Sequence, residues 1–110
     1  LAIEIYAERY WKPLLLDEVV ELSPELAYVM MDIGVNSGIV RPVLFLQRLL
    51  NVLNLNAEVY PDLTVDGKVG GMTMRALRSF YARRGSEGMG VLATGMTGLQ
   101  IEFYVSLAEP

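Results

Sequence analysis

The sequence predicts an all-α domain of about five helices around a central apolar helix, with one loop rich in glycine and aspartate. Three observations carry this. Apolar residues recur at helical spacing in several segments, and Ser23-Pro24-Glu25 has the composition of a helix start. The stretch 39–53 is apolar almost all the way round, as expected of a helix with neighbours on several sides. At 110 residues the chain has room for one core and too few residues to divide comfortably into two domains, so residues 1–110 are read as one.

The elements follow in order. Residues 2–11 place Ile3, Ile5, Tyr6, Tyr10 and Trp11 among Glu4, Glu8 and Arg9, the pattern of a short amphipathic helix that Pro13 ends. Residues 14–22 fit either a helical turn or a loop, with Asp17, Glu18 and Glu21 forming a solvated side. Ser23 is expected to cap the next helix, Pro24 to occupy its first position and Glu25 to meet the positive end of the helix dipole, with Ser37-Gly38 as the stop. The apolar helix 39–53 carries Val40, Val43, Leu44, Phe45, Leu46, Leu49 and Leu50, and tolerates Pro42 only because it lies in the first turn. Residues 54–71 hold Asn, Pro, Asp and Gly signals and read as an exposed loop with a short extended piece at 63–65. Residues 72–83 form another amphipathic helix, with Met74, Ala76, Leu77, Phe80 and Tyr81 inward and the arginines outward. Gly85 and Gly88 are expected to mark a turn, and residues 89–109 to hold one long or two short helices.

Composition excludes several kinds of function. The net charge of −4 opposes binding to a phosphate backbone, so no nucleic-acid partner is expected. Zero cysteines and zero histidines remove disulfides, thiolate chemistry, the usual zinc ligands and the commonest general base, and no metal or cofactor is expected. The longest uncharged stretch, 88–101, contains four glycines and falls short of the ~20 apolar residues of a spanning helix. A mean hydropathy of +0.35 points to a tightly buried core or to a surface covered by a neighbour. The chain starts at Leu1 within a helical pattern and without a signal-like segment, as expected of a piece cut from a longer protein.

Polar residues within this apolar frame are the candidate sites. Asp32 and Asn36 are four apart and share a helix face just before Gly38 lets the chain turn. With Ser37 they could line a cleft and hydrogen-bond sugar hydroxyls or acetamido groups, or they could form a buried network that fixes the corner between two helices. Tyr6, Tyr10 and Trp11 could stack on sugar rings, although at helical spacing core packing is the commoner use. Asp62 to Gly67 resembles the start of a calcium loop, but Thr73 stands where the bidentate glutamate should be. A turn explains it better: Asp66 caps local N–H groups, Gly67 and Gly70 adopt backbone angles closed to other residues, and Thr73 starts the next helix. Glu4 and Glu8 lie four apart on one helix, which suits a solvated face better than an acid–base pair flanking a cleft.

Read together, Tyr10-Trp11, Asp32-x-x-Val35-Asn36-Ser37-Gly38, Leu46-Gln47-Arg48 and Asp66-Gly67-x-Val69-Gly70-x-x-Thr73 form an ordered pattern over about residues 5–81. It resembles the predicted peptidoglycan-binding domain that follows the catalytic segment in glycoside hydrolase family 108, phage and bacterial N-acetylmuramidases that include secretion activator proteins. The resemblance implies a lysozyme-like helical architecture, in which this portion supplies one wall of a glycan cleft and acts at the cell wall on peptidoglycan glycan strands. The family's catalytic glutamate lies in an N-terminal Glu-Gly-Gly-type motif. This chain has no such motif, and neither Glu4 nor Glu8 matches it. Gly71 also stands where the family usually has proline.

The expected function is therefore binding of cell-wall glycan by part of a muramidase-like endolysin, with no catalytic residue in this chain and the N-terminal catalytic segment of the parent as its partner. Substrate contact is expected at Asn36, Ser37, Asp32, Tyr6, Tyr10 and Trp11, with Asp66, Gly67, Gly70 and Thr73 shaping the loop. Two rivals stand beside it: a structural or protein-interaction helical module, and a self-sufficient glycosidase using Glu8.

Overall fold

The computed structural model describes residues 2–110, and the start at Leu1 lies outside the described residues. Among the described residues every regular element is helical: α1 (Ala2–Tyr6), continuing as a π-helical turn (Ala7–Trp11), then α2 (Leu16–Leu22), α3 (Pro24–Ser37), α4 (Val40–Val52) and α5 (Gly71–Ala108). The predicted all-α class is the observed one, and the arrangement is consistent with a lysozyme-like domain.

The first segment departs from a plain amphipathic helix. Lys12 N–H donates to Ala7 O at 2.9 Å, the wide spacing of a π turn, and Pro13, lacking an N–H, cannot extend the ladder. No side chain of that turn is fully buried, and Ile3 and Ile5 are exposed. The chain then passes through a left-handed Leu15 (φ 54°) into α2, so residues 14–22 are a helix after one irregular turn.

Helix α3 begins as its composition dictates. Ser23 is extended and its Oγ accepts from Leu26 N–H at 3.0 Å, Pro24 occupies the first turn, and the helix ends at Gly38 with φ 88°. Helix α4 follows at once and buries Val43, Phe45, Leu46, Gln47 and Leu50, while Val40, Arg48 and Val52 stay exposed. Its apolar stripe faces α3 and α5.

Helix α5 packs against α2, α3 and α4. It breaks once, at Gly85 (φ 60°, ψ −154°), a region that residues with a Cβ avoid. Gly88 is not part of that turn. It lies buried inside the second half, where a Cβ would come within 3.0 Å of the Phe80 ring and 2.5 Å of Arg84 Cβ, so its role is close approach. Of the one long or two short helices expected at 89–109, the structure has one, continuous after the kink to Ala108. Leu14, Leu26, Met30, Leu46, Leu50, Leu77, Met89, Leu92 and Met96 are almost wholly buried and form the core.

Between α4 and α5, residues 53–70 are irregular, and no strand forms at 63–65. This segment is held to α4 by side chains, and it frames the site.

Candidate functional site

Gln47 lies on the buried stripe of α4, four residues after Val43 and three before Leu50, so its amide must find partners inside the protein. It finds five. Nε2 donates to Asp66 Oδ1 (3.0 Å), Lys68 O (3.1 Å) and Thr73 Oγ1 (3.1 Å), while Oε1 accepts from the N–H groups of Asp66 and Gly67 (3.0 Å each). With two hydrogens facing three acceptors, one N–H is shared. Gln47 is 1% exposed and Thr73 is 3% exposed, so the loop is fastened from within the core.

Two further amides continue the fastening along the same side. Asn51 exchanges hydrogen bonds with the backbone of Leu63, Nδ2 donating to its O (2.9 Å) and Oδ1 accepting from its N–H (2.6 Å). Asn54 donates to Tyr60 O (3.2 Å) and to Asp62 Oδ1 (2.6 Å) and accepts from Ala57 N–H (3.0 Å). That last set holds Leu55, Asn56 and Ala57 in three successive left-handed conformations (φ 55°, 56° and 68°), each unfavourable for a residue with a Cβ. Tyr60 completes the clamp by donating its O–H to Leu50 O at 2.7 Å, and burial pushes its phenol up to about 12.

At the far end of the loop, Asp66 Oδ1 also accepts from Lys68 N–H at 2.9 Å. That bond, followed by the one from Gln47, holds the Asp66 carboxyl below its ordinary range. Gly67 has φ +74°, and a Cβ there would lie 2.6 Å from Val40 Cγ1. Two expectations need correction here. Gly70 is extended (φ −148°, ψ −163°), a conformation open to any residue, because the loop turns at Gly67. Thr73 is the third residue of α5, not its cap, and its hydroxyl faces inward to Gln47.

The loop and the first half of α5 enclose two adjoining cavities that share Leu63 and Met72. One, about 250 Å³, is bordered by Gln47, Asp62, Thr64, Asp66 and Lys68. The other, about 270 Å³, is bordered by Tyr60, Pro61, Arg75, Ala76 and Ser79. The carboxylates of Asp62 and Asp66 are already engaged, by Asn54 and by Gln47 with Lys68 respectively.

The candidate residues at the end of α3 have different surroundings. Asn36 is exposed and its Nδ2 donates to Asp32 O (2.8 Å), with Asp32 Oδ1 at 3.4 Å; its own Oδ1 makes no hydrogen bond among the described residues. Ser37 is half-buried and its Oγ accepts from Gln100 Nε2 at 2.7 Å, which ties the corner to the end of α5. Nearby residues that the sequence did not single out add to this corner. Arg41 lays its guanidinium over the Phe103 ring, 4.1 Å from its centroid, and both Arg41 Nε and Gln100 Oε1 are buried without a hydrogen-bond partner among the described residues.

The aromatic candidates do not gather at that corner. Tyr6 and Tyr10 lie together on the first segment, ring centroids 5.7 Å apart, while Trp11 is half-buried and donates Nε1–H to Asp17 at 2.7 Å. Glu8 pairs with Lys12 at 2.6 Å on the solvent-facing side, and that contact raises the Lys12 ammonium above its ordinary value.

Sequence reasoning thus missed Asn51, Asn54, Arg41 and Gln100, and it named Gln47 only within the Leu46-Gln47-Arg48 pattern, without a role at the site. For Gln47 a signal existed: an amide placed on the apolar stripe of a helix is either a buried error or a buried anchor. Nothing local distinguishes Arg41 or Gln100.

Against known families, residues 41–110 match the one described as "Predicted Peptidoglycan domain". The chain belongs to that family. Residues 1–38 match a second family, glycosyl hydrolase 108, so the two matches meet at the corner between α3 and α4. Together they support a cell-wall-binding role in a hydrolase, acting at the cell wall. No curated protein matches the chain. Among the described residues, no helix of this peptidoglycan-domain chain is long and apolar enough to cross a membrane. The loop fastened by Gln47 lies wholly within the peptidoglycan-domain match, whereas Asp32, Asn36 and Ser37 lie in the hydrolase match.

Proposed function

We propose that the chain binds peptidoglycan glycan strands as one wall of the cleft of a muramidase-like, lysozyme-like hydrolase. The 110 residues act as a single helical peptidoglycan-binding domain, and a catalytic segment of the parent protein supplies the hydrolytic acid. In this reading Asn36 contacts the glycan, Asp32 orients it, and Tyr6 and Tyr10 offer a stacking surface. Ser37 contributes through the corner that it fixes, and Trp11 through its exposed edge.

The observation that carries the reading is the state of Asn36: exposed at the junction of the two family matches, with its donor side held by Asp32 and its carbonyl oxygen uncommitted. An amide in that state presents one oriented acceptor to a ligand N–H or O–H. Glu8 is unsuited to acid catalysis because it is solvated and already neutralised by Lys12.

Cosedimentation with purified murein tests this. Wild type should pellet, and Asn36→Ala should fold normally but bind about two- to tenfold more weakly, the worth of one hydrogen bond. Absence of pelleting by wild type sinks the proposal. The second reading, a structural or protein-interaction module, draws on Ser37, whose hydroxyl serves Gln100 inside the corner. It predicts no pelleting and no effect of Asn36→Ala. Lytic activity abolished by Glu8→Gln on a murein zymogram would overturn both.

A further inference from the structure

The cavity bordered by Tyr60, Pro61, Leu63, Met72, Ala76 and Ser79 is mostly apolar, and its one charged side chain is Arg75. At about 270 Å³ it is near the small end of ligand pockets, which run from about 300 Å³. In a chain of net charge −4, an arginine would be expected to meet an acid. Arg78, one turn along, does so by pairing with Glu18. Arg75 does not: its guanidinium approaches the Met72 sulfur at 3.8 Å, and no carboxylate among the described residues pairs with it.

The other polar groups of this cavity narrow the choice of ligand. The Tyr60 hydroxyl is committed to Leu50 O, and the Tyr60 carbonyl to Asn54. That leaves the Arg75 guanidinium and the half-buried Ser79 hydroxyl, which lie four apart on one face of α5 and make no strong hydrogen bond to described residues. Two neighbouring donors over an apolar floor fit a carboxylate attached to a small aliphatic body. The floor is rigid, because Asn51 and Asn54 clamp Leu63 and Tyr60 from beneath.

From this geometry we infer that the Arg75–Ser79 cavity binds the carboxylate end of a short, alanine-like peptide. Peptidoglycan strands carry such peptides, so the inference extends the glycan-binding proposal and rests on it for its biological ligand. The cavity gives the protein a second contact, to the peptide of the wall polymer and not to its sugar.

The test uses the whole chain with N-acetyl-D-alanyl-D-alanine as the probe, and the same dipeptide ended as a carboxamide, followed by amide shifts in NMR spectra. Saturable shifts around Met72–Ser79 with the free acid are expected. Affinity should fall about tenfold or more for the carboxamide and for Arg75→Gln, with part recovered in Arg75→Lys. Arg83→Gln, which removes the same charge outside the cavity, should bind as wild type does. No binding by wild type, equal binding of acid and carboxamide, or equal losses in Arg75→Gln and Arg83→Gln would overturn the inference. Pelleting with glycan chains stripped of peptide separates the two proposals. If it persists and depends on Asn36 while the dipeptide is inert, only this inference fails. If the dipeptide binds through Arg75 but stripped glycan does not pellet, the glycan reading fails and the peptide contact stands.

Discussion

Gln47 and Asp66, 19 positions apart, exchange hydrogen bonds in both directions: the Gln47 amide donates to the aspartate Oδ1 and accepts from the aspartate's own N–H, each at 3.0 Å. A helix buried on one face thereby holds a loop both by the loop's backbone and by the Asp66 carboxylate. The cavities beside it inherit that rigidity.

Gln47→Leu keeps the volume and removes every one of these bonds. It leaves the Gly67 N–H, the Lys68 carbonyl and the Thr73 hydroxyl without that partner, while the Asp66 N–H keeps its bond to Thr64 O at 3.1 Å. A loss of about 2–4 kcal/mol is expected, by analogy with other broken buried networks, measured by urea denaturation. The loop amides should also lose hydrogen-exchange protection before the core does.

Gly67→Ala should cost about 1–3 kcal/mol, because φ +74° disfavours a Cβ and Val40 Cγ1 stands 2.6 Å from where it would go. Val40→Ala in the same chain relieves only the contact. Part of the loss should therefore return in the double variant, as read from denaturation midpoints.

Acid should loosen the loop. The Asp66 carboxyl is depressed below its unfolded value, so its contribution is present above the ordinary carboxylate range and disappears as pH falls through the lowered value. The thermal midpoint of wild type should drop below about pH 4. Asp66→Asn should show a shallower drop.

Alkali should act at the other end of the clamp. The Tyr60 phenol is raised to about 12, so its stabilising effect is complete below the unfolded value of 10.0 and is lost as pH rises towards 12. Ultraviolet difference titration should show one tyrosine ionising late, and Tyr60→Phe should remove it. That variant should also lose about 0.5–1.5 kcal/mol with the bond to Leu50 O.

The helices were legible because their signals are local. Ser23 caps α3 within three residues, Gly38 ends it, and the stripe of α4 can be counted along the chain. The end of the second cavity was partly legible too, since Arg75 was placed outward, but nothing along the chain showed that Arg78 would find Glu18 while Arg75 would find no acid. The aromatic group was legible only in part. Tyr6 and Tyr10 do meet, yet Trp11 turns to Asp17, a contact decided by the π turn and the left-handed Leu15 that follow no simple period.

By itself the sequence determined an all-helical chain, its start and stop residues, its apolar stripes and the turn at Gly67, because capping, periodicity and backbone sterics act over a few residues. Only the tertiary structure decided which polar groups are spent on the fold and which remain for a ligand. Gln47 reaches 26 positions to Thr73, and Gln100 reaches 63 to Ser37. A side chain's hydrogen-bond partner across such separations depends on how helices pack, and packing is a property of the whole core that no local pattern records.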